Sequence, residues 1–243
     1  MKKTTFLIVG KHAVVEALKN PKRKIEKVFV TEDAQKTLNR ENQSLNLFKG
    51  VSVFYKSRRE LDNICGRDEI AHQGLVAEAE QLEDLSLKDF VKETKQKNIN
   101  FLALEEVTDP RNIGSIIRNC IAFNVSTIIL HEQGLNAKSP SMHVAASGAI
   151  EHINLIIVKN ISSALRLLKE NDFWVFGFDG TSKLIFDKSL SNKKNILIFG
   201  DEGSGLRDLT KKLCDQLVKI PISRKIESLN VSSAVVAALS FLR

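Results

Sequence analysis

From Asn98 onward the chain alternates short continuous apolar runs with amphipathic stretches, and this leaves few folds open to it. Runs at 100–105, 125–130, 154–158, 173–178, 195–199 and 216–220 read as strands. The stretches 113–123, 140–149, 161–170, 206–213 and 231–242 read as helices. A strand that is apolar at nearly every position must bury both of its faces. Such strands, separated by helices, pack as a parallel sheet with helices on either side. The expected class for this part is therefore α/β.

The N-terminal third reads differently. Lys11–Lys19 has helical apolar spacing, while Ile25–Val30, Val51–Tyr55 and Gly74–Ala79 have strand character. Ser57–Ile64 reads as a helix, with Ser57 as cap and Glu60 at the third position of a capping box. The opening MKKTTFLIV starts basic and turns apolar, but the apolar part is too short for a secretion signal, and a first strand is expected instead. Residues 80–97 (EQLEDLSLKDFVKETKQK) are charged and lack strand character, so they read as a linker in which Ser86 caps a short helix to Lys95.

Charge separates the two parts. Residues 1–78 carry 15 Lys and Arg against 10 Asp and Glu, a net +5, and the remaining residues carry 21 against 19, a net +2. A basic excess concentrated in one third of the chain points to a polyanionic partner held there. No apolar run is long enough to span a membrane. Cys65, Cys120 and Cys214 show neither paired nor metal-ligand spacing and read as small core residues in a reducing, cytoplasmic setting. The scattered His12, His72, His131, His143 and His152 suggest no metal site.

Two loops of the C-terminal part carry the strongest chemical signal. The strand Asn195–Phe199 runs into a loop with Gly200, Gly203 and Gly205. A second loop, from Ile220 to Leu229, feeds a small-residue helix through Ser228-Leu229-Asn230. Two such loops at the ends of neighbouring strands form a small-molecule pocket. Asp201 and Glu202 argue against phosphate there, because a phosphate cradle uses backbone N–H groups and Lys. Upstream, Asp109-Pro110-Arg111-Asn112-Ile113-Gly114-Ser115-Ile116-Ile117-Arg118-Asn119 opens a helix whose apolar stripe is Ile113, Ile116, Ile117, Cys120 and Ile121. Arg118 lies off that stripe, with Gly114 and Ser115 clearing its face. Asn112 stands where a helix N-cap would, and Ser228 or Asn230 caps the last helix. Asn124 is suited to a left-handed helix end.

These three segments, in this order over roughly 98–243, resemble motifs 1, 2 and 3 of the SpoU/TrmH family of S-adenosylmethionine-dependent RNA ribose 2′-O-methyltransferases. The resemblance implies a SPOUT domain with a parallel sheet and a deep trefoil α/β knot, a topology that periodicity alone would never suggest. The opening Gly10-Lys11-His12-Ala13-Val14 looks like the L30e-like RNA-binding domain of the RlmB-like, TrmH group 3 branch. The implied division is an RNA substrate-binding domain at 1–79, a linker at 80–97 and a methyltransferase domain at 98–243.

The resemblance also implies roles. Arg118 matches the family's catalytic Arg, with Asn112 beside it, and Glu202, Ser228 and Asn230 complete the catalytic set. Gly200, Ile220 and Leu229 match positions that hold S-adenosylmethionine. Arg keeps its proton to pH values above about 12, so anchoring a phosphate and orienting the 2′-OH is the more natural role for Arg118 than acting as a base. The expected enzyme is a homodimer that methylates RNA at a ribose 2′-OH, with a guanosine of 23S rRNA favoured. A tRNA ribose 2′-O-methyltransferase and a non-catalytic RNA-binding ribosome-assembly factor are the alternatives. Cofactor titration separates enzyme from assembly factor.

Overall fold

The computed structural model describes residues 5–41, 47–66, 71–94, 98–134, 138–190, 193–223 and 225–242. The first four residues of the expected opening strand and the end of the linker at 95–97 lie outside these. The chain divides into two compact units, one formed by 1–83 with 136–152 and the other by 84–135 with 153–243.

In the first unit, β1 (Thr5–Val9), β2 (Ile25–Val30), β3 (Ser52–Tyr55) and β4 (Leu75–Glu80) form a mixed sheet in the order β1-β4-β2-β3. The β2–β3 pair is parallel and the others are antiparallel. Helices α1 (Lys11–Lys19), α2 (Glu32–Arg40) and α3 (Arg58–Cys65) complete it. The capping box at Ser57 and Glu60 forms as expected. Its bonds to Lys56 and to the Ser57 backbone, the latter the larger influence, hold the Glu60 carboxyl down at about 2. The sequence reading did not anticipate α2. Only Ala34 and Leu38 of that helix are buried, too few to produce a visible apolar period, and Thr31 caps it by accepting from the Ala34 N–H.

The segment 138–152 packs into this first unit. Helix α6, after α4 (Leu87–Glu93) and α5 (Pro110–Ala122), covers Pro140–Ala146. The helix expected over 140–149 stops there because Ser147 and Gly148 take φ values of 50° and 88°. A 3₁₀ turn at Ala149–His152 follows and delivers Glu151 to Arg23 at 2.8 Å. Both side chains are almost fully buried, 2% and 3% exposed, so each charge depends on the other. Asn20 also donates to Glu151, at 2.7 Å.

The second unit holds the parallel sheet. β5 (Ile99–Leu104), β6 (Thr127–His131), β7 (Asn154–Val158), β8 (Trp174–Phe178), β9 (Lys194–Phe199) and β10 (Gln216–Val218) lie in the order β10-β8-β9-β5-β6-β7, and every pair is parallel. Phe101, Ile129, Ile156, Val175 and Ile196 share one core cluster with Leu165 and Leu168 of α7 (Ile161–Lys169) and with Leu87 and Val91 of α4. Leu102, Ile128 and Leu197, alternating with these along the strands, are fully buried as well. The sheet is thus covered on both faces, as its continuous apolar strands require. Helices α8 (Asp208–Leu213) and α9 (Val231–Ser240) complete the unit, and α9 packs against α5. Of the expected stripe of α5, Ile113, Ile116, Ile117 and Cys120 are buried, each aliphatic side chain contributing about 1.5–3 kcal/mol, while Ile121 is only half-buried. Asn124 ends the turn after α5 in the left-handed region, φ 61°, as its amide side chain permits.

From β5 the chain moves outward through β6 and β7, crosses to β8, and returns as β9 beside β5. The strand order reverses between β5 and β9. In open α/β sheets, ligands settle at the carboxyl ends of the strands at such a reversal.

Candidate functional site

The loops leaving β8, β9 and β10 enclose a cavity of about 320 Å³, within the usual range for small-molecule sites. Gly200, Glu202, Ile220, Ser228 and Leu229 line it, as do Phe178, Asp179, Phe199 and Lys219. Phe178 and Phe199, the last residues of β8 and β9, stack with centroids 4.2 Å apart and give the cavity a flat apolar wall.

The glycine loop is tightly folded. A Cβ on Gly200 would come within 2.1 Å of the Gly205 carbonyl oxygen and 2.5 Å of the Leu206 nitrogen, so only glycine fits. Asp201 forms an antiparallel bridge with Gly205, which takes a φ of 67°. The Asp201 carboxylate turns back on its own loop and accepts from the Gly203 N–H at 3.0 Å and the Ser204 N–H at 3.3 Å. Those backbone bonds, Gly203's foremost, hold its carboxyl below the usual Asp range.

Glu202 points the other way and gathers three donors from two helices onto one oxygen. Its Oε1 accepts from Asn112 Nδ2 at 3.1 Å, Asn230 Nδ2 at 2.6 Å and the Val231 N–H at 3.1 Å. Asn230 Nδ2 also donates to Asn112 Oδ1 at 2.9 Å. Asn230 is the N-cap of α9, its Oδ1 accepting from the Ser232 N–H. The N-cap reading for Asn112 is corrected. Asp109 caps α5 and Pro110 occupies the first turn, which places Asn112 inside the helix with its amide free to cross to Glu202.

Arg118 stands apart. It is exposed, lines no part of the cavity, and has no hydrogen-bond or ion-pair partner among the described residues. Six residues separate it from Asn112, which on an α-helix is about 9 Å of rise and about 240° of rotation, so the two leave α5 in different directions. Ser115 serves α9 rather than Arg118, accepting from the Ser232 hydroxyl at 2.8 Å. Asn119 donates to that same hydroxyl at 3.1 Å.

Asp179, Lys211 and the Phe178–Phe199 wall escaped the sequence reading, although a position at the carboxyl end of a parallel strand is itself a signal. Asp179 accepts from Thr181 and pairs with Lys211 at 2.8 Å. Burial opposes its ionisation, but the Lys211 and Thr181 bonds outweigh it and keep the carboxyl below its ordinary value. The thiols of Cys120 and Cys214 are pushed up to about 12 by burial, so neither is poised as a nucleophile.

Glu202→Gln is expected to lower turnover about 3- to 10-fold, because three hydrogen bonds lose their charged acceptor. Asp201→Asn should stay within about twofold, since its amide oxygen still accepts from the loop N–H groups. Steady-state kinetics on the two variants checks this. Equal turnover would mean that Glu202 does not organise the site.

A family model described as the SpoU rRNA Methylase family matches residues 80–240. A second, described as RNA 2'-O ribose methyltransferase substrate binding, matches residues 7–85. The 23S rRNA (guanosine-2'-O-)-methyltransferase RlmB of Vibrio cholerae is 33% identical over 94% of this chain and 92% of its own length. The Escherichia coli K12 enzyme of the same name is 31% identical over 94% and 93%. An AdoMet-bound rRNA methyltransferase from Sinorhizobium meliloti shares the fold, with a TM-score of 0.78 at 24% identity over 98% of this chain and 87% of that one. The SpoU methyltransferase AviRb from Streptomyces viridochromogenes does so at 0.77 and 20%, over 98% and 88%. A six-stranded parallel sheet of SPOUT type, joined to a mixed-sheet unit that the substrate-binding model recognises, makes this chain a member of the SpoU family of RNA ribose 2′-O-methyltransferases.

Proposed function

We propose that this protein methylates the ribose 2′-OH of a guanosine in 23S rRNA, with S-adenosylmethionine as methyl donor. The observation that carries the chemistry is the meeting of Asn112, Glu202 and Asn230 beside the glycine-loop cavity. The choice of 23S rRNA and of guanosine follows the two RlmB relatives, whose similarity runs through both units.

The cavity suits this cofactor. Its size is adequate, its Phe178–Phe199 wall can receive a flat base, and the tight turn at Gly200 brings backbone groups to the surface. Asp179, Asp201, Glu202 and Glu227 outnumber Lys211 and Lys219 in its lining, which favours a ligand bearing positive charge over a phosphate. When bound, the cofactor supplies an electrophilic methyl group on a sulfonium. Gly200, Ile220 and Leu229 hold it, and Ser228 stands at the rim of the same cavity.

Glu202 acts by fixing the two Asn amides, which then present a rigid polar edge to the incoming ribose. Much of the acceleration in such a transfer comes from orientation. Arg118 anchors a phosphate of the substrate so that the 2′-OH is aligned. Its direction away from its own Asn112 fits a homodimer in which one subunit's Arg118 serves the partner's site. Residues 1–79, with most of the net positive charge, grip the RNA, and 98–243, apart from the segment 138–152 that packs into the first unit, form the methyltransferase domain, with 80–97 between them.

Substrate choice is tested by offering unmodified 23S rRNA and tRNA transcripts at equal concentration with tritiated cofactor. Label is expected in the 23S transcript. Label in tRNA alone would overturn the assignment of substrate.

A further inference from the structure

Glu105 is a buried carboxylate, 4% exposed, that the chemistry described so far does not use. It follows β5 directly, at the carboxyl edge of the sheet and next to the end of β9. Its backbone N–H donates to the Phe199 carbonyl at 2.9 Å, at the point where the glycine loop begins. Its side chain reaches the point where that loop ends. Oε2 accepts from the Arg207 N–H at 2.9 Å, and Oε1 accepts from the Thr210 hydroxyl at 2.6 Å.

Arg207 is the N-cap residue of α8, and its own side chain makes no capping bond. Glu105 therefore makes, from outside the helix, the bond to the N-cap N–H that the third-position Glu of a capping box would make. The Arg207 guanidinium is engaged by the neighbouring Glu106. Thr210 is fully buried, so its hydroxyl fixes the Glu105 carboxylate in one orientation. A single residue thus holds both ends of the loop Gly200–Leu206.

We propose that Glu105 is a positioning residue for the cofactor: by clamping both ends of the glycine loop it sets the width of the cavity that the loop encloses. This rests on the reading that the loop holds S-adenosylmethionine. Glu105 itself lines no part of the cavity, so its effect is transmitted through the backbone of residues 200–207.

The test uses the full chain and S-adenosylhomocysteine as calorimetric probe. Glu105→Ala is expected to raise the dissociation constant of the probe and the KM for the cofactor about 10-fold, the scale of a buried charged hydrogen bond. At saturating cofactor, kcat and the KM for RNA should stay within about threefold, because the Asn112–Glu202–Asn230 cluster has its own anchor in Val231. Glu105→Gln retains an oxygen for the Arg207 N–H and should restore affinity to within about threefold of the native chain. A Glu105→Ala variant that melts earlier yet binds the probe and the cofactor with native constants would make Glu105 an ordinary core residue and overturn the proposal. If that variant does not fold, Thr210→Val decides. A rise of about threefold or more in the probe's dissociation constant supports the clamp, and an unchanged constant overturns it. Gly200→Ala, measured alongside, separates the two levels. If it too leaves the constant unchanged, the loop is not the cofactor site and the underlying reading has failed.

Discussion

Replacing Arg118 with alanine is expected to cut methyl transfer by at least about 10²-fold, the scale associated with losing a group that positions a reacting atom. Binding of S-adenosylhomocysteine should change by less than about twofold, a bound set by the modest reach of an exposed charge. Thermal stability should also be retained. The side chain is exposed and unpaired among the described residues, so its removal leaves no cavity and no orphaned partner. Arg118→Lys keeps the charge but loses the planar fork that grips a phosphate bidentately, and it should be nearly as impaired. Turnover and calorimetry on both variants check this. A Lys variant with near-native turnover would reduce Arg118 to a simple counter-charge. If the partner's site is where Arg118 acts, mixing Arg118→Ala with a cofactor-site variant should restore part of the lost activity through mixed dimers.

Gly200→Ala should be the most damaging single change in the cavity. The added methyl would meet the Gly205 carbonyl oxygen at 2.1 Å and carbonyl carbon at 2.2 Å, both backbone atoms that cannot rotate away. The loop must open to admit it. Overpacking of this kind costs about 1–3 kcal/mol, which corresponds to about 10- to 100-fold weaker cofactor binding when the distortion falls on the site itself. The Asn112–Glu202–Asn230 cluster keeps its anchor in Val231, so the loss should fall on affinity more than on kcat. Calorimetry and steady-state kinetics measure the two losses. Native affinity in the alanine variant would show that the loop's tightness is irrelevant to the cofactor.

The parts of the fold legible in the sequence were those where one physical constraint dominates. Continuous apolar strands demanded a parallel sheet, and the glycine spacing after Phe199 demanded a tight loop at its edge. The capping box at Ser57 and the left-handed turn at Asn124 were readable because each depends on one or two residues. Helix α2 was hidden because a nine-residue helix that buries only Ala34 and Leu38 leaves no periodic trace. The start of α5 was placed three residues late, although Asp109-Pro110 carries an N-cap followed by proline at the first helical position. That shift changed the meaning of Asn112 from a cap to a side chain reaching across to Glu202.

The site was legible as a list of residues more than as an arrangement. The motif order gave Asn112, Glu202 and Asn230, but a linear reading did not see the two amides converging on the Glu202 Oε1. Arg118 was expected to use Gly114 and Ser115 as cleared space, whereas Ser115 meets Ser232 of α9. Glu105 was invisible because an acid directly after a strand looks like an exposed strand end. Only the pairing of β5 with β9 shows that it spans the glycine loop.

The position of the methyl group separates transfer to a ribose from transfer to a base. Purified protein, labelled S-adenosylmethionine and unmodified 23S rRNA can be incubated, and the RNA digested to nucleosides for mass spectrometry. Label is expected in 2′-O-methylguanosine at one site, cut at least about 10²-fold by Arg118→Ala. Label carried on a base, or no label in RNA from a protein that binds the cofactor, would contradict transfer to the ribose.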